Sequence, residues 1–251
     1  MELQEMYSID PWVGLANFVR FFKSVYFVRL IKNTILLSVY NLIFGFPAPI
    51  ILALLLNEVR NKHFKNITQT ITYLPHFISL IVVTGMLTDF SMTSGLFNDI
   101  IAFFGGERSP LLQNPKLYRT MYVASGIWQQ VGWGSIIYLS ALAGVDQQLY
   151  EAASIDGAGA FKKFLYITIP GIKNVLIFVV MMTTIAAMKL FTQPYIMTNG
   201  GPKESTMTLT YYLYRQGFQY RNMGYASAVS VIFFIVVVGI SVVVKKLMKA
   251  R

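Results

Sequence analysis

Residues 223–244 read MGYASAVSVIFFIVVVGISVVV, a run that contains no charged side chain. At 1.5 Å per residue, a helix needs about 20 apolar residues to cross a hydrocarbon layer of roughly 30 Å. This run is long enough, and Lys245 and Lys246 follow it directly, as lysines do where a span reaches the membrane surface. The segment therefore predicts a helix that crosses a lipid bilayer.

Four further windows have the length and low charge of membrane spans. They cover residues 34–56, about 67–88, about 121–144 and about 174–195. Soluble helices alternate an apolar and a polar face, and these windows largely do not, so buried helices of a soluble core are the weaker interpretation. The sequence therefore predicts an all-α membrane protein, a multi-span helical bundle with five visible spans.

The composition argues against several other classes of protein. Hydrophobic residues make up 55% of the chain and charged residues only 13%. The 21 basic and 11 acidic residues fall mostly between the apolar windows, so the net charge of +10 belongs to loops and ends, and no nucleic-acid partner is expected. With no cysteine and only His63 and His76, the chain offers no thiolate chemistry and no histidine cluster for zinc, so no metal site is expected.

The two ends of the chain set the expected orientation. Residues 1–33 are predicted to be an extracellular or interfacial segment, in which 16–33 (ANFVRFFKSVYFVRLIKN) have the pattern of a basic amphipathic helix at the membrane surface. Residues 34–245 form the transmembrane domain and 246–251 a basic tail. Positive charge is denser on the side of this tail, which favours a cytoplasmic C-terminus. Five spans would leave the N-terminus outside, so we expect that a first span is missing from this sequence.

The loop between the third and fourth windows, residues 146–170, carries the clearest local signals. Asp146 is a typical N-cap residue, Gly157 can take the left-handed conformation that ends a helix, and Pro170 limits a second helix to about Thr168. The pattern predicts helix, turn, helix on the inner surface. Side chains that would offer a partner close approach, apolar anchors or charge are Ala152, Ala153, Ala158, Phe164, Ile167, Glu151 and Asp156. A pair of surface helices without a partner is the other interpretation.

Residues 151–170, EAASIDGAGAFKKFLYITIP, resemble the EAA signature of the permeases of bacterial ABC importers. The matching positions are Glu151, Ala152, Ala153, Asp156, Gly157, Ala158, Phe164, Ile167 and Pro170. The resemblance extends through WVGLANFVRFF (12–22), NTILLS (33–38), TYLPHFIS (72–79) and PYIMTNGGPKESTMTLTYYLY (194–214), and it is greatest to the oligosaccharide permeases. Members of this family usually have six spans, one more than this sequence shows.

The resemblance implies that other proteins share the work. The 146–170 loop would form coupling helices that insert into a cytoplasmic ATPase dimer. No Gly-x-x-x-x-Gly-Lys-Ser/Thr sequence occurs here, so ATP would be bound by that partner, and this chain would be no enzyme and would need no cofactor. A second, related permease would complete the path, and an extracellular solute-binding protein would deliver an oligosaccharide. The expected location is the bacterial inner (plasma) membrane.

Polar side chains within the spans are candidates for the substrate path, because burying them in lipid is costly. The candidates are Tyr73, His76, Gln129, Gln130, Trp133, Lys189 and Gln193. Amides beside an aromatic ring suit sugars, whose C–H groups stack on rings while their hydroxyls bond amides. Each candidate has another interpretation: a helix-to-helix hydrogen bond for His76, an interfacial position for Trp133, and snorkelling to the surface for Lys189.

Three alternative functions remain open on the sequence. A membrane-embedded enzyme or ion-driven carrier would be expected to place paired carboxylates or metal ligands within its spans, yet all eleven acidic residues lie outside the span cores. A truncated permease remnant would insert into the membrane and transport nothing. A permease for a solute other than a sugar would share the same loop and spans.

Overall fold

The computed structural model describes residues 13–201 and 205–249, and all regular secondary structure in these ranges is helical. The prediction of an all-α protein is therefore confirmed. The principal helices are α1 (Ala16–Lys23), α2 (Tyr26–Glu58), α3 (Lys62–Phe77), α4 (Leu80–Phe90), α5 (Leu96–Phe103), α6 (Pro115–Ala143), α7 (Gln147–Ile155), α8 (Ala160–Gly171), α9 (Lys173–Met188), α10 (Thr192–Thr198), α11 (Leu209–Tyr214) and α12 (Met223–Lys249). The first twelve residues of the predicted 1–33 segment and the last two of the 246–251 tail lie outside the described ranges.

Two of the described helices, α2 and α12, are both long and apolar enough to cross a membrane in one piece. The pairs α3–α4 and α8–α9 reach that length and apolarity only if each pair is counted as one bent span. Helix α6 has 29 residues and so extends roughly 43 Å, but it carries more polar residues. The count of five spans therefore stays a prediction.

Helix α2 begins at Tyr26, eight residues before the predicted start of the first span at residue 34. Its regular pattern is interrupted by a π-turn over Asn41–Gly45, where the Phe46 N–H donates to the Asn41 carbonyl at 3.1 Å. The interruption lies just before Pro47, the first of two prolines in this part of α2. The wider turn makes room for a proline that has no N–H to donate.

The second window, about 67–88, does not form one continuous helix. Helix α3 ends at Phe77, Ile78 and Ser79 are extended, and α4 leaves at 89° to α3. A single span over this window stays a prediction, and Pro75 lies in the irregular last turn of α3, over Leu74–Phe77. The carbonyl of Ile78, exposed by the break, accepts a hydrogen bond from the Gln129 side chain of α6 at 2.8 Å.

The fourth window, about 174–195, does not form one continuous helix either. Helix α9 ends at Met188, and the exposed Lys189 lies at its C-terminus rather than within the helix. Pro194 explains the break, because in a continuous helix its ring would meet the carbonyl of Leu190. Gln193 consequently lies on a separate short helix, α10.

The predicted surface helix over residues 16–33 is divided in two. Ser24 has an extended backbone and ends α1, and α2 starts two residues later. Phe21 is fully buried and packs its ring near those of Tyr212 and Tyr225. Helix α1 is therefore tied to α11 and α12, in addition to any contact that it makes with the membrane surface.

Buried polar side chains near the start of α2 join it to distant parts of the chain. The Asn33 amide donates to the Met207 carbonyl at 3.1 Å, and the Leu209 N–H donates to the Thr34 hydroxyl at 3.0 Å. Ser38 donates to the Ala187 carbonyl of α9 at 2.8 Å. The polar residues of the NTILLS stretch thus hold α2 against α9 and the segment before α11.

Helix α3 crosses α6 at Gly132, which is buried. A Cβ atom at this position would overlap the carbonyl group of Thr72. The two backbones can approach this closely only because residue 132 has no side chain, a device common where membrane helices pack.

We predict that Gly132→Ala destabilises the fold by about 1 to 3 kcal/mol, because the added methyl group must push α3 away from α6. Gly126→Ala, on the same helix, is the matched control, since a Cβ there meets nothing within 4 Å. Thermal unfolding of the detergent-solubilised proteins measures both. An equal melting temperature for the two variants would contradict the close crossing.

Candidate functional site

The first helix of the 146–170 segment forms as the sequence predicts. The Asp146 carboxylate accepts a hydrogen bond from the Gln148 N–H at 2.9 Å, and α7 continues to Ile155. This cap satisfies one of the N–H groups that a helix leaves unpaired at its start. The N-cap at Asp146 and the helix over 147–155 are confirmed.

The turn after α7 depends on Gly157. Its φ angle is +72°, in the left-handed region that favours glycine. The Gly157 N–H donates to the Ser154 carbonyl at 3.1 Å and the Ala158 N–H donates to the Ala153 carbonyl at 2.8 Å. This pair of bonds is the Schellman arrangement, which pairs the last carbonyl groups of a helix. The predicted left-handed role of Gly157 is confirmed.

The second helix of the segment is longer than predicted. It runs through a π-turn at Phe164–Thr168 and ends at Gly171, so Pro170 lies inside its last turn and does not stop it at Thr168. The π-turn gives the proline ring the extra room it needs. Helix α9 then leaves at 71° to α8.

Two side-chain hydrogen bonds fasten α7 to α8. The hydroxyl groups of Tyr150 and Thr168 lie 2.8 Å apart, and the Lys163 Nζ donates to the Ser154 hydroxyl at 2.6 Å. Since one bond lies near each end of the pair, the two helices are held as one unit.

The candidate coupling residues divide between an exposed and a half-buried group. Glu151, Ala152, Asp156, Gly157 and Pro170 are exposed, and Ala153, Ala158, Phe164 and Ile167 are half-buried. Ile167 packs against a buried cluster that includes Leu142 and Ile172 of its own chain. Its side chain therefore helps to seat α8 on the bundle.

Sequence reasoning missed the three most exposed large apolar side chains of this segment. They are Ile155, Phe161 and Tyr166, with exposed fractions of 87%, 75% and 72%. These three residues lie outside the signature positions, so the spacing of the signature gave no reason to select them. Their exposure beside Glu151 and Asp156 gives the segment a surface of apolar and acidic groups.

We predict that Gly157→Val opens the turn, because a left-handed conformation costs other residues roughly 1 to 2 kcal/mol and costs a β-branched residue most. Amide hydrogen exchange at Ala158 should accelerate about tenfold as its bond to Ala153 is lost. Gly159→Val is the control, since Gly159 has φ −69° and open space around it. Equal exchange in both variants would contradict the role given to Gly157.

A groove of about 720 Å³ runs along α2, α6 and α9. It brings together four of the candidate path residues, Gln129, Gln130, Trp133 and Gln193. Tyr73, His76 and Lys189 do not line it. The sequence thus identified four residues that meet at one surface, together with three that are not part of its lining.

His76 contacts two of the groove residues and fixes the orientation of their side chains. Its ring stacks on that of Trp133, with centroids 4.5 Å apart and planes within 1° of parallel. Its Nδ1 lies 3.0 Å from Gln130 Oε1. If this nitrogen donates, the Gln130 oxygen is occupied and the amide NH₂ group is left to bond a ligand. Gln130 and Trp133 are both exposed.

The other two glutamines are engaged within the chain. Gln129 is buried and donates to the Ile78 carbonyl, and Gln193 is buried with its Nε2 3.4 Å from the Ser125 hydroxyl. Trp128 lies on another face of α6, against an apolar cavity beside α4 and α5. Gln130 and Trp133 are therefore the candidates best exposed to a solute in the groove.

Among residues 13–201 and 205–249 no group of three or more His, Asp or Glu side chains is arranged to hold a metal ion. The side chains described above can offer stacking and amide bonds in the groove, and apolar and acidic contacts at the 146–170 segment.

Comparison with known proteins identifies the family. Residues 45–250 match the family described as the binding-protein-dependent transport system inner membrane component. The polygalacturonan/rhamnogalacturonan transport system permease protein YteP of Bacillus subtilis is 40% identical over 224 residues, which cover 88% of this chain and 70% of the relative.

Solved structures agree with the sequence match. A bacterial ABC transporter that imports the acidic polysaccharide alginate is similar with a TM-score of 0.90 and 33% identity, covering 96% of this chain and 85% of that one. The alginate transporter in complex with a periplasmic protein that holds an alginate pentasaccharide is similar with a TM-score of 0.88 and 32% identity, over 96% and 84% of the two chains. This chain belongs to the family of inner-membrane components of binding-protein-dependent transport systems. It is a permease subunit of an ABC importer.

Proposed function

We propose that this permease forms half of an oligosaccharide path and that a separate ATPase drives it through the 146–170 segment. The similar proteins YteP and the alginate importer transport polymers of sugars, which supports a sugar substrate here. The observation that carries the proposal is the groove, where the aromatic ring of Trp133 lies beside the side-chain amide of Gln130.

The groove would form half of a path, because one of its sides is open. Phe178 and Met182 of α9 line it and are exposed, as is Ile137 of α6. A second, related permease that packs over this face would bury these side chains and leave a channel between the two chains. Apolar walls with a few directed polar groups are typical of sites for small ligands.

Within the path we assign contact with the sugar to Gln130 and Trp133, and their positioning to His76. Gln129 donates a hydrogen bond to the backbone carbonyl at the break between α3 and α4, and Gln193 holds α10 against α6. Tyr73 and Lys189 lie outside the groove lining, and we assign them no contact with substrate. The path therefore depends on two contact residues and three supporting ones.

The 146–170 segment has the properties of a mechanical connection. Its two helices are fastened to each other, and α8 leads directly into α9, which lines the groove. A force applied to the exposed surface around Glu151 and Ile155 would therefore reach the wall of the path. We assign this surface to a cleft of a cytoplasmic ATPase, which binds the ATP, and we place the 246–251 tail on the same side.

The signature residues have different roles in this connection. We assign contact with the ATPase to the exposed Glu151, Ala152, Asp156 and Ile155, and to the half-buried Ala153 and Phe164. Gly157 and Ala158 form the turn between the helices, and Ile167 and Pro170 seat the second helix on the bundle. The extracellular solute-binding protein would deliver the sugar at the opposite end of the groove.

We predict that Glu151→Lys reduces association with the ATPase at least tenfold and abolishes uptake, because it reverses the charge of an exposed contact without altering the helix. Glu107→Lys is the matched control, an exposed acidic residue outside the segment. Co-purification from membranes and uptake of labelled oligosaccharide measure the two effects. Normal ATPase binding by Glu151→Lys would contradict the coupling role.

We predict that Trp133→Ala raises the KM for oligosaccharide uptake roughly five- to tenfold, since an aromatic contact contributes about 1 kcal/mol. The maximal rate and ATPase association should change little. Trp128→Ala is the control, because Trp128 faces away from the groove. An equal effect of both substitutions would show that Trp133 serves packing.

Uptake by the reconstituted importer tests the proposed function itself. Proteoliposomes should hold both permeases, the ATPase and the binding protein, with a panel of oligosaccharides outside. ATP-dependent accumulation of a sugar is the expected result. No accumulation of any solute would support a non-transporting remnant, and accumulation of a different class of solute would overturn the sugar assignment.

A further inference from the structure

A second cavity lies on a different face of α6 from the groove. It has a volume of about 400 Å³ and is enclosed by α4, α5 and α6. Side chains that form its walls include Met86 and Phe90 of α4, Phe97 of α5, and Met121 and Ala124 of α6. This cavity has no part in the proposed sugar path.

The walls of the cavity offer almost no polar group. The polar side-chain groups in the lining are the Ser125 hydroxyl and the indole N–H of Trp128. The Ser125 hydroxyl donates to the Tyr122 carbonyl at 3.0 Å and lies 3.4 Å from Gln193 Nε2. The Ile78 carbonyl at the helix break is paired with Gln129. A sugar or another hydrophilic ligand would lose its hydrogen bonds to water here and gain few, so the cavity suits an apolar occupant.

The cavity opens to the outside of the bundle between exposed apolar side chains. Met86 and Leu96 both line it and are exposed. From Leu96 an exposed apolar row continues along one face of α5 through Ile100 to Phe103 and Phe104, at the spacing of one helix face. Phe103 and Phe104 have exposed fractions of 84% and 81%.

Helix α5, which carries this apolar row, is fastened to its flanking segments by polar contacts. The buried Asn98 donates to the carbonyls of Met92 and Ser109, both at 2.8 Å, and accepts the Ser109 N–H at 2.9 Å. Asp99 and Arg108 form an ion pair at 2.6 Å. The row and the cavity mouth are therefore parts of one fixed surface.

We propose that this cavity binds an acyl chain of a membrane phospholipid, with the apolar row of α5 lying among neighbouring lipids. The chain belongs to a family of membrane components, and acyl chains are the abundant apolar molecules around it. An empty cavity would forfeit the dispersion contacts of its walls, and water would find few partners there. A flexible acyl chain can enter through the mouth at Met86 and Leu96 and fill the space.

The test uses the assembled importer in lipid nanodiscs that contain a phospholipid with a photoactivatable diazirine in its acyl chain. After illumination, mass spectrometry measures labelling of peptides that contain Met86, Phe97 and Met121. We expect this labelling to saturate at a low fraction of the probe. Labelling near Ile235, an exposed position of α12 outside the cavity, should rise in proportion to the probe.

A variant that fills the cavity gives an independent readout. Ala124→Trp should reduce labelling of the cavity peptides at least fivefold and leave labelling near Ile235 unchanged. Ile235→Trp is the control, because it adds the same ring at an exposed membrane position and should leave cavity labelling unchanged. Should Ala124→Trp fail to assemble, the saturation measurement on the unaltered importer still decides.

Two outcomes would overturn the proposal. Cavity labelling that rises in proportion to the probe would show only the general lipid layer around the protein. Absence of cavity labelling, with links from these residues to the second permease instead, would show that another chain covers this face. Neither outcome bears on sugar uptake, so the proposed function is tested separately.

Discussion

The hydrogen bond from the Gln129 side chain to the Ile78 carbonyl supports much of the arrangement around it. In a bilayer, a backbone group without a partner costs several kcal/mol, so a broken helix is tolerated only where another group pairs it. This bond permits the 89° turn between α3 and α4. The turn separates the groove on one face of α6 from the apolar cavity on another. One buried amide therefore sets the position of two sites.

Proline shapes the helices in a repeated manner. The π-turns over Asn41–Gly45 and Phe164–Thr168 each end two residues before a proline, Pro47 and Pro170. A regular turn would bring the proline ring against a carbonyl four residues earlier, and the wider turn relieves that contact without ending the helix. The helices thus continue through residues that ordinarily stop them, and both irregular stretches border the surfaces assigned to function.

The sequence predicts local features well where one residue determines the backbone. Asp146 and Gly157 have a specific conformational role, and the helix, the cap and the turn follow from them. Pro170 was interpreted as a stop because a π-turn leaves no sequence signal of its own. The positions of Lys189 and Gln193 depended on whether α9 continues through residue 194, which hydropathy does not reveal. Exposure of Ile155 and Phe161 is a property of the fold, so no spacing rule could select them.

The π-turn in α8 also fixes the rotational setting of the segment. Each residue of an α-helix advances the chain by about 100° around its axis, and a π-turn accommodates one residue beyond the regular repeat. Loss of a single residue between Phe164 and Thr168 would remove this surplus and leave Phe161 and Lys163 facing nearly the same way relative to α9, but the Pro170 ring would then meet the carbonyl four residues earlier. Loss of a residue from the regular turn over Ile169–Gly171 would instead swing Phe161 and Lys163 by about 100°. The surplus residue therefore lets the helix pass Pro170 while the segment keeps its setting on α9.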